Sequence, residues 1–121
     1  LDRKEYDTKG VHVICDMYGV KYDLLENINY LEQLGRFAIA VAGATYVDVV
    51  KKKFQPQGTT LLFLLEESHL SFHCYSEKSF LALDIFTCGN ANPEKALDYI
   101  IKQLQPERVY RKTIIRGVEP N

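Results

Sequence analysis

Three side chains in the middle of this 121-residue chain have types and spacing that could build a carbonyl group and use it: Ser68, His73 and Cys88. They lie in GTTLLFLLEESHLSFHCYSEKSFLALDIFTCG, residues 58–89. A serine hydroxyl can attack the carbonyl of the residue before it, here Glu67, where a tight turn bends that peptide toward it. The resulting ester can eliminate across the serine Cα and Cβ once a base takes the α-proton. The dehydroalanine that remains then hydrolyses to a pyruvoyl group. The imidazole of His73, five residues on, is of the right kind to be that base. The thiol of Cys88 could later donate a proton to a carbanion. Each residue also fits a plainer reading: a turn serine, a satisfied core histidine and a small buried thiol at a strand end. The carboxylates Glu66, Glu67 and Glu77 equally fit solvated turn positions.

The surrounding pattern must position these groups. Leu61 to Leu65 on one side, and Leu70, Phe72 and Phe80 to Phe86 on the other, read as buried strands, because branched and aromatic residues dominate short runs. Glu66, Glu67, Ser68 and His69 form a polar knot between them, costly at a junction of core strands unless each group is paired or does chemistry.

Earlier in the chain, residues 1–10 read as a loose lead, and Leu1 in first place suggests a trimmed or processed end. Val11 to Met17 alternates as a first strand. Asp23 and Glu26 have capping-box spacing before Leu24, Ile28, Leu31, Leu34, Ala38 and Val41, which predicts one long amphipathic helix to about Ala42, ended by Gly43. Thr45 to Phe54 reads as a strand with Val47 and Val49 on one face and Tyr46, Asp48 and Val50 on the other. Lys51 to Lys53 is its solvated end, and Gln55 to Gly58 a turn. Asn92-Pro93-Glu94 has cap, first-turn proline and acid in favoured places for a helix striped by Ala96, Leu97, Ile100, Ile101 and Leu104. Val109 to Ile115 supplies the last strand. The order strand, helix, four strands, helix, strand predicts an α+β two-layer sandwich, an antiparallel-rich sheet with two helices on one face.

The totals narrow the function. Length gives a single domain spanning 1–121, and 46% hydrophobic with 26% charged residues is ordinary globular composition. A chain this short has little left over for a deep pocket, so a site shared between subunits is expected. Fifteen basic against 16 acidic residues point to neither nucleic acid nor an anionic membrane. Apolar runs fall short of a membrane helix, and the polar N-terminus has no signal-like core. Three cysteines, without CxxC spacing or close histidines, read as reduced cytoplasmic thiols and indicate no metal site.

Taken together, Glu67-Ser68-His69-Leu70-Ser71-Phe72-His73 followed by Asp84-Ile85-Phe86-Thr87-Cys88-Gly89 resembles the signature ESHLTIH…DxFTCG of the small prokaryotic, pyruvoyl-dependent S-adenosylmethionine decarboxylase proenzymes. The resemblance covers residues 10–105 in element order, its specific motif residues 54–89. It implies autocatalytic cleavage between Glu67 and Ser68 into a β chain, 1–67, and an α chain, 68–121, with Ser68 becoming the covalent pyruvoyl cofactor. The amine of S-adenosylmethionine would condense with that ketone to a Schiff base, which accepts the electrons left by carbon dioxide. The decarboxylated product would then feed polyamine (spermidine) biosynthesis. The resemblance further implies His73 as processing base, Cys88 as proton donor, Glu77 on the ribose hydroxyls and Phe54 stacked on the adenine. It also implies a homodimer with site residues contributed across the interface.

Two departures stand out. Thr60, in Gly58-Thr59-Thr60, replaces the serine of the family's GVSG turn, which keeps the hydroxyl that supports processing but restricts its rotamer. His73-Cys74-Tyr75-Ser76-Glu77 lacks the proline of HTxPE, which stiffens the approach to the ribose glutamate. Two alternatives follow: a pyruvoyl-dependent ornithine or arginine decarboxylase, and an uncut noncatalytic partner of an active relative.

Overall fold

The computed structural model describes residues 8–120, so the greater part of the expected N-terminal lead lies outside the described residues. Chain order is β1 (Gly10–Tyr18), α1 (Tyr22–Glu26), α2 (Ile28–Val41), β2 (Tyr46–Lys53), β3 (Thr59–Leu65), β4 (His69–Tyr75), a short 3-10 helix (Ser76–Lys78), β5 (Phe80–Cys88), α3 (Pro93–Leu104) and β6 (Arg108–Arg116). The six strands form one sheet in the order β2-β3-β4-β5-β1-β6, antiparallel at every pairing.

Strict alternation drives this arrangement. Val13, Cys15 and Met17 of β1, Leu61, Phe63 and Leu65 of β3, Leu70 and Phe72 of β4, and Leu81, Leu83 and Ile85 of β5 bury one face. The stripes Leu31, Leu34, Ala38 and Ile39 of α2 and Ala96, Leu97, Ile100 and Leu104 of α3 cover it. Each Val, Leu, Ile, Phe or Met among them contributes about 1.5–3 kcal/mol when fully buried. A Cβ at Gly35 would stand 2.2 Å from the ring of Phe63, so only glycine lets α2 lie this close to β3. The result is a two-layer α+β sandwich whose second sheet face has no helix over it among the described residues. That open face carries His12, Ile14 and Asp16 of β1, Thr60, Leu62 and Leu64 of β3, His69, Ser71, His73 and Tyr75 of β4, and Ala82, Asp84 and Phe86 of β5. Among the described residues no helix is long and apolar enough to cross a membrane.

Three local expectations need correction. The first long helix is broken at Asn27, whose Oδ1 accepts from Tyr30 N at 3.0 Å and starts α2 afresh. The Asp23–Glu26 capping box does not form, because α1 starts after Lys21 without a side-chain cap and Glu26 is drawn to other partners. In β2 a register shift between Tyr46 and Asp48 turns Tyr46 inward with Val49 and leaves Val47 exposed, reversing the expected faces there. The lysines at the end of β2 are also not simply solvated. Lys51 pairs with Glu32, and Lys53 Nζ donates to Glu26 Oε1 at 3.0 Å.

Candidate active site

The polar knot is the tight turn from β3 to β4. Leu65 N donates to Ser68 O at 2.9 Å, and Glu66 N to Thr45 O at 3.0 Å, tying the turn to the start of β2. Glu67 is buried instead of solvated: its carboxylate accepts from Thr45 N at 2.9 Å and from Thr45 Oγ1 at 3.4 Å. This side chain is a peg, holding the peptide before Ser68 in place. The Glu67 carbonyl oxygen in turn accepts from Cys88 Sγ at 3.1 Å, because β5 ends beside the turn. Cys88 therefore reaches the Glu67–Ser68 peptide, and it also lines a recess of about 330 Å³ with Gly10, Thr87 and Gly89.

His73 is elsewhere. It stands exposed on the open face, opposite Thr60 on β3 and Ala82 on β5. Strand rise puts it about 13 Å beyond His69, with Ser68 one residue further back. Thr60, His73, Phe54 and Glu77 line a second recess, of about 540 Å³, together with Gln57 and Tyr75. The chain thus gathers its predicted residues into two groups, one with the Glu67–Ser68 peptide and one with the histidine and the flat aromatic and carboxylate groups. The approach to Glu77, which lacks the stiffening proline, is held by Ser76, a buried residue whose Oγ donates to Glu26 Oε2 at 2.6 Å.

Between the two groups lies a cluster absent from the sequence reading. Asp84 Oδ2 accepts from His12 Nε2 and from His69 Nε2, each at 2.7 Å, and Ser71 Oγ donates to Oδ1. Burial alone would raise the Asp84 pKa. The hydrogen bonds from His69, Ser71 and His12 outweigh it, so the carboxyl stays well below the usual carboxylate range. Arg116 Nη1 approaches His12 Nδ1 at 3.5 Å, and its guanidinium lies 4.9 Å above the ring of Phe86. His12, His69 and Asp84 offer donor atoms within 4.8 Å of one another, although widely separated positions in the chain gave no ligand spacing to read. One signal was available: all fall on the strand parity opposite the core. A groove of about 440 Å³ continues along this face past Asp16, Lys112 and His73.

The S-adenosylmethionine decarboxylase family profile matches residues 11–117. The chain is 47% identical over 115 residues to S-adenosylmethionine decarboxylase proenzyme 2 of Bacillus cereus, covering 94% of each chain. It is 46% identical to the S-adenosylmethionine decarboxylase proenzyme of Brevibacillus brevis, over 94% of this chain and 86% of that one. The crystal structure of the adenosylmethionine decarboxylase from Aquifex aeolicus superposes with a TM-score of 0.85 at 34% identity, covering 94% of this chain and 95% of that one.

Proposed function

Because the chain belongs to the S-adenosylmethionine decarboxylase family, we propose that it is a proenzyme that cuts itself between Glu67 and Ser68 and then decarboxylates S-adenosylmethionine for polyamine synthesis. The observation that carries this reading is the Cys88 thiol on the Glu67 carbonyl oxygen. When Ser68 Oγ attacks the Glu67 carbonyl carbon, negative charge develops on that oxygen. A donor already aimed there lowers the barrier without reorganising. The peptide nitrogen then departs, leaving an ester. A base removes the Ser68 α-proton, and the ester breaks to leave a chain ending at Glu67 and one starting with a dehydroalanine, which tautomerises to an imine and takes up water, releasing ammonia and leaving the pyruvoyl group.

The Cys88 thiol held against the Glu67–Ser68 peptide fits a carbonyl group formed at position 68. A pyruvoyl group there would supply a ketone for the substrate amine and an acceptor for the electron pair left on the substrate carbon when carbon dioxide departs. The chain's own side chains do the rest. Glu77 accepts hydrogen bonds from the ribose hydroxyls, Phe54 offers a flat face to adenine, and Cys88 returns a proton to the product carbon.

Within one chain His73 is too far along β4 to reach Ser68. The base is therefore His73 of a second copy, with Thr60 beside it. Two copies facing each other across their open sheet faces would bring one recess to each turn. The exposed Ile14, Leu62, Leu64, Tyr75 and Tyr110 on that face support such a homodimer, since a patch of this kind is unfavourable left in water. Cys15, Cys74 and Cys88 are all free thiols, which suits the reducing cytoplasm. Phe54 and Glu77 favour a nucleoside over ornithine or arginine, neither of which has a base or a ribose to contact. The poised turn favours cleavage over an inert partner.

Intact mass under denaturing conditions, with and without cyanoborohydride and S-adenosylmethionine, tests the proposal. Two fragments meeting at Glu67 and Ser68, the smaller trapped as a substrate adduct, are expected. A single uncut chain refutes the proenzyme, and adduct formation with ornithine or arginine alone refutes the substrate.

A further inference from the structure

We infer that Glu26 is a positioning residue for the substrate recess, a single carboxylate that ties its two walls together through Gly58 and Ser76. The inference rests on the reading of Phe54 and Glu77 as the nucleoside contacts. One wall is the turn after β2, with Phe54, Gln57 and Gly58, and the other is the end of β4 and the 3-10 helix, with Tyr75 and Glu77. No ladder hydrogen bond joins these segments directly, since they lie beyond the ends of the β3–β4 pairing.

Glu26 Oε2 bridges them. It accepts from Gly58 N at 2.7 Å and from Ser76 Oγ at 2.6 Å, while Oε1 takes Lys53 Nζ at 3.0 Å. Each contact fixes a recess residue one step away. Gly58 O accepts from Phe54 N at 2.8 Å, which closes the turn that carries the ring. Ser76 opens the 3-10 helix and precedes Glu77, and Ser76 O accepts from Ser79 N at 3.0 Å.

The end of α1 is itself anchored. Leu25 O accepts from Thr59 Oγ1 at 2.9 Å, and Glu26 O from Lys53 Nζ at 2.8 Å. The hydrogen bonds from Ser76 and Gly58 keep the Glu26 carboxyl below its ordinary range, with Lys53 adding to them against the opposing effect of burial. Ser76 is 1% exposed, so without Glu26 its hydroxyl would be buried and unpaired. A merely structural tie would lower stability and leave substrate affinity alone; a positioning tie acts on affinity, because ribose and adenine contacts need both walls at a fixed separation.

The test is steady-state decarboxylation by processed Ser76→Ala, Glu26→Gln and Ser76→Thr, with Phe54→Leu and Glu77→Gln alongside. Ser76→Ala and Glu26→Gln are expected to raise KM for S-adenosylmethionine about tenfold with kcat within about threefold, and Ser76→Thr, which keeps the hydroxyl, to recover most of the loss. Unchanged KM in Ser76→Ala and Glu26→Gln, with KM raised by Phe54→Leu and Glu77→Gln, overturns the inference while leaving the recess assignment standing. Unchanged KM in Phe54→Leu and Glu77→Gln overturns the assignment, and the inference with it. A fall in kcat or in cleavage with KM unchanged also overturns the inference.

Discussion

Co-expression of two dead variants can tell whether the site is assembled from two chains. Ser68→Ala removes the proposed nucleophile but leaves His73 in place, and His73→Ala does the reverse. The extended backbone of β4 separates His69 from His73 by about 13 Å, several times the reach of a proton transfer. Each homodimer should therefore stay essentially uncut, with cleavage slowed about 10²- to 10⁴-fold by loss of the positioned base or stopped by loss of the nucleophile. A mixed dimer contains one intact pairing, Ser68 of the His73→Ala chain with His73 of the Ser68→Ala chain, and one doubly dead pairing. Isolated through two different tags, mixed dimers should show about half their chains cut, all of them carrying the His73→Ala tag, as closed twofold symmetry requires. Denaturing mass spectrometry reads both the cut site and the tag. No cleavage in the mixed dimers, or full cleavage in the His73→Ala homodimer, would refute the shared site.

Three other perturbations probe separate parts of the structure. Cys88→Ala removes the donor to the Glu67 carbonyl, so cleavage should slow, and the fraction that is cut should lose turnover by about 10²- to 10⁴-fold in carbon dioxide release; unchanged rates would take Cys88 out of both steps. Asp84→Asn, made in the uncut Ser68→Ala chain, should be less stable in urea at pH 7. The folded Asp84 pKa lies below its unfolded value, so the stabilisation is present above the usual Asp range and is lost as pH falls through the folded value; the gap between the proteins should therefore shrink below about pH 4. Gly35→Ala should cost about 1–3 kcal/mol of stability by urea titration, because the added methyl meets the Phe63 ring, whereas a simple gain in helix propensity would stabilise the protein.

Legibility followed the range of the interactions. β3, β4 and β5 could be read because each repeats its apolar side every second residue, and α3 because Asn92, Pro93 and its stripe agree. The break at Asn27 could not be read from spacing, since Glu26 leaves its own helix for Gly58 and Ser76, 32 and 50 positions away. Nor could the shift in β2, which depends on its pairing with β3 and leaves no local mark on Tyr46-Val47-Asp48. The residues of the site were legible as types, and their grouping was not. Ser68 and His73 look like neighbours at five residues, yet an extended strand makes that spacing a separation, while Cys88, twenty residues from Ser68, lies beside the Glu67–Ser68 peptide. Sequence distance misleads in both directions for one reason: antiparallel pairing brings strand ends together and holds positions along one strand apart. The same rule explains the cluster of His12, His69, Ser71 and Asp84, where β1, β4 and β5 each send a polar group to the face opposite the core. A polar residue at core-opposed parity in three adjacent strands is thus a signal for a site on an open sheet, readable once the strand order is known and invisible before it.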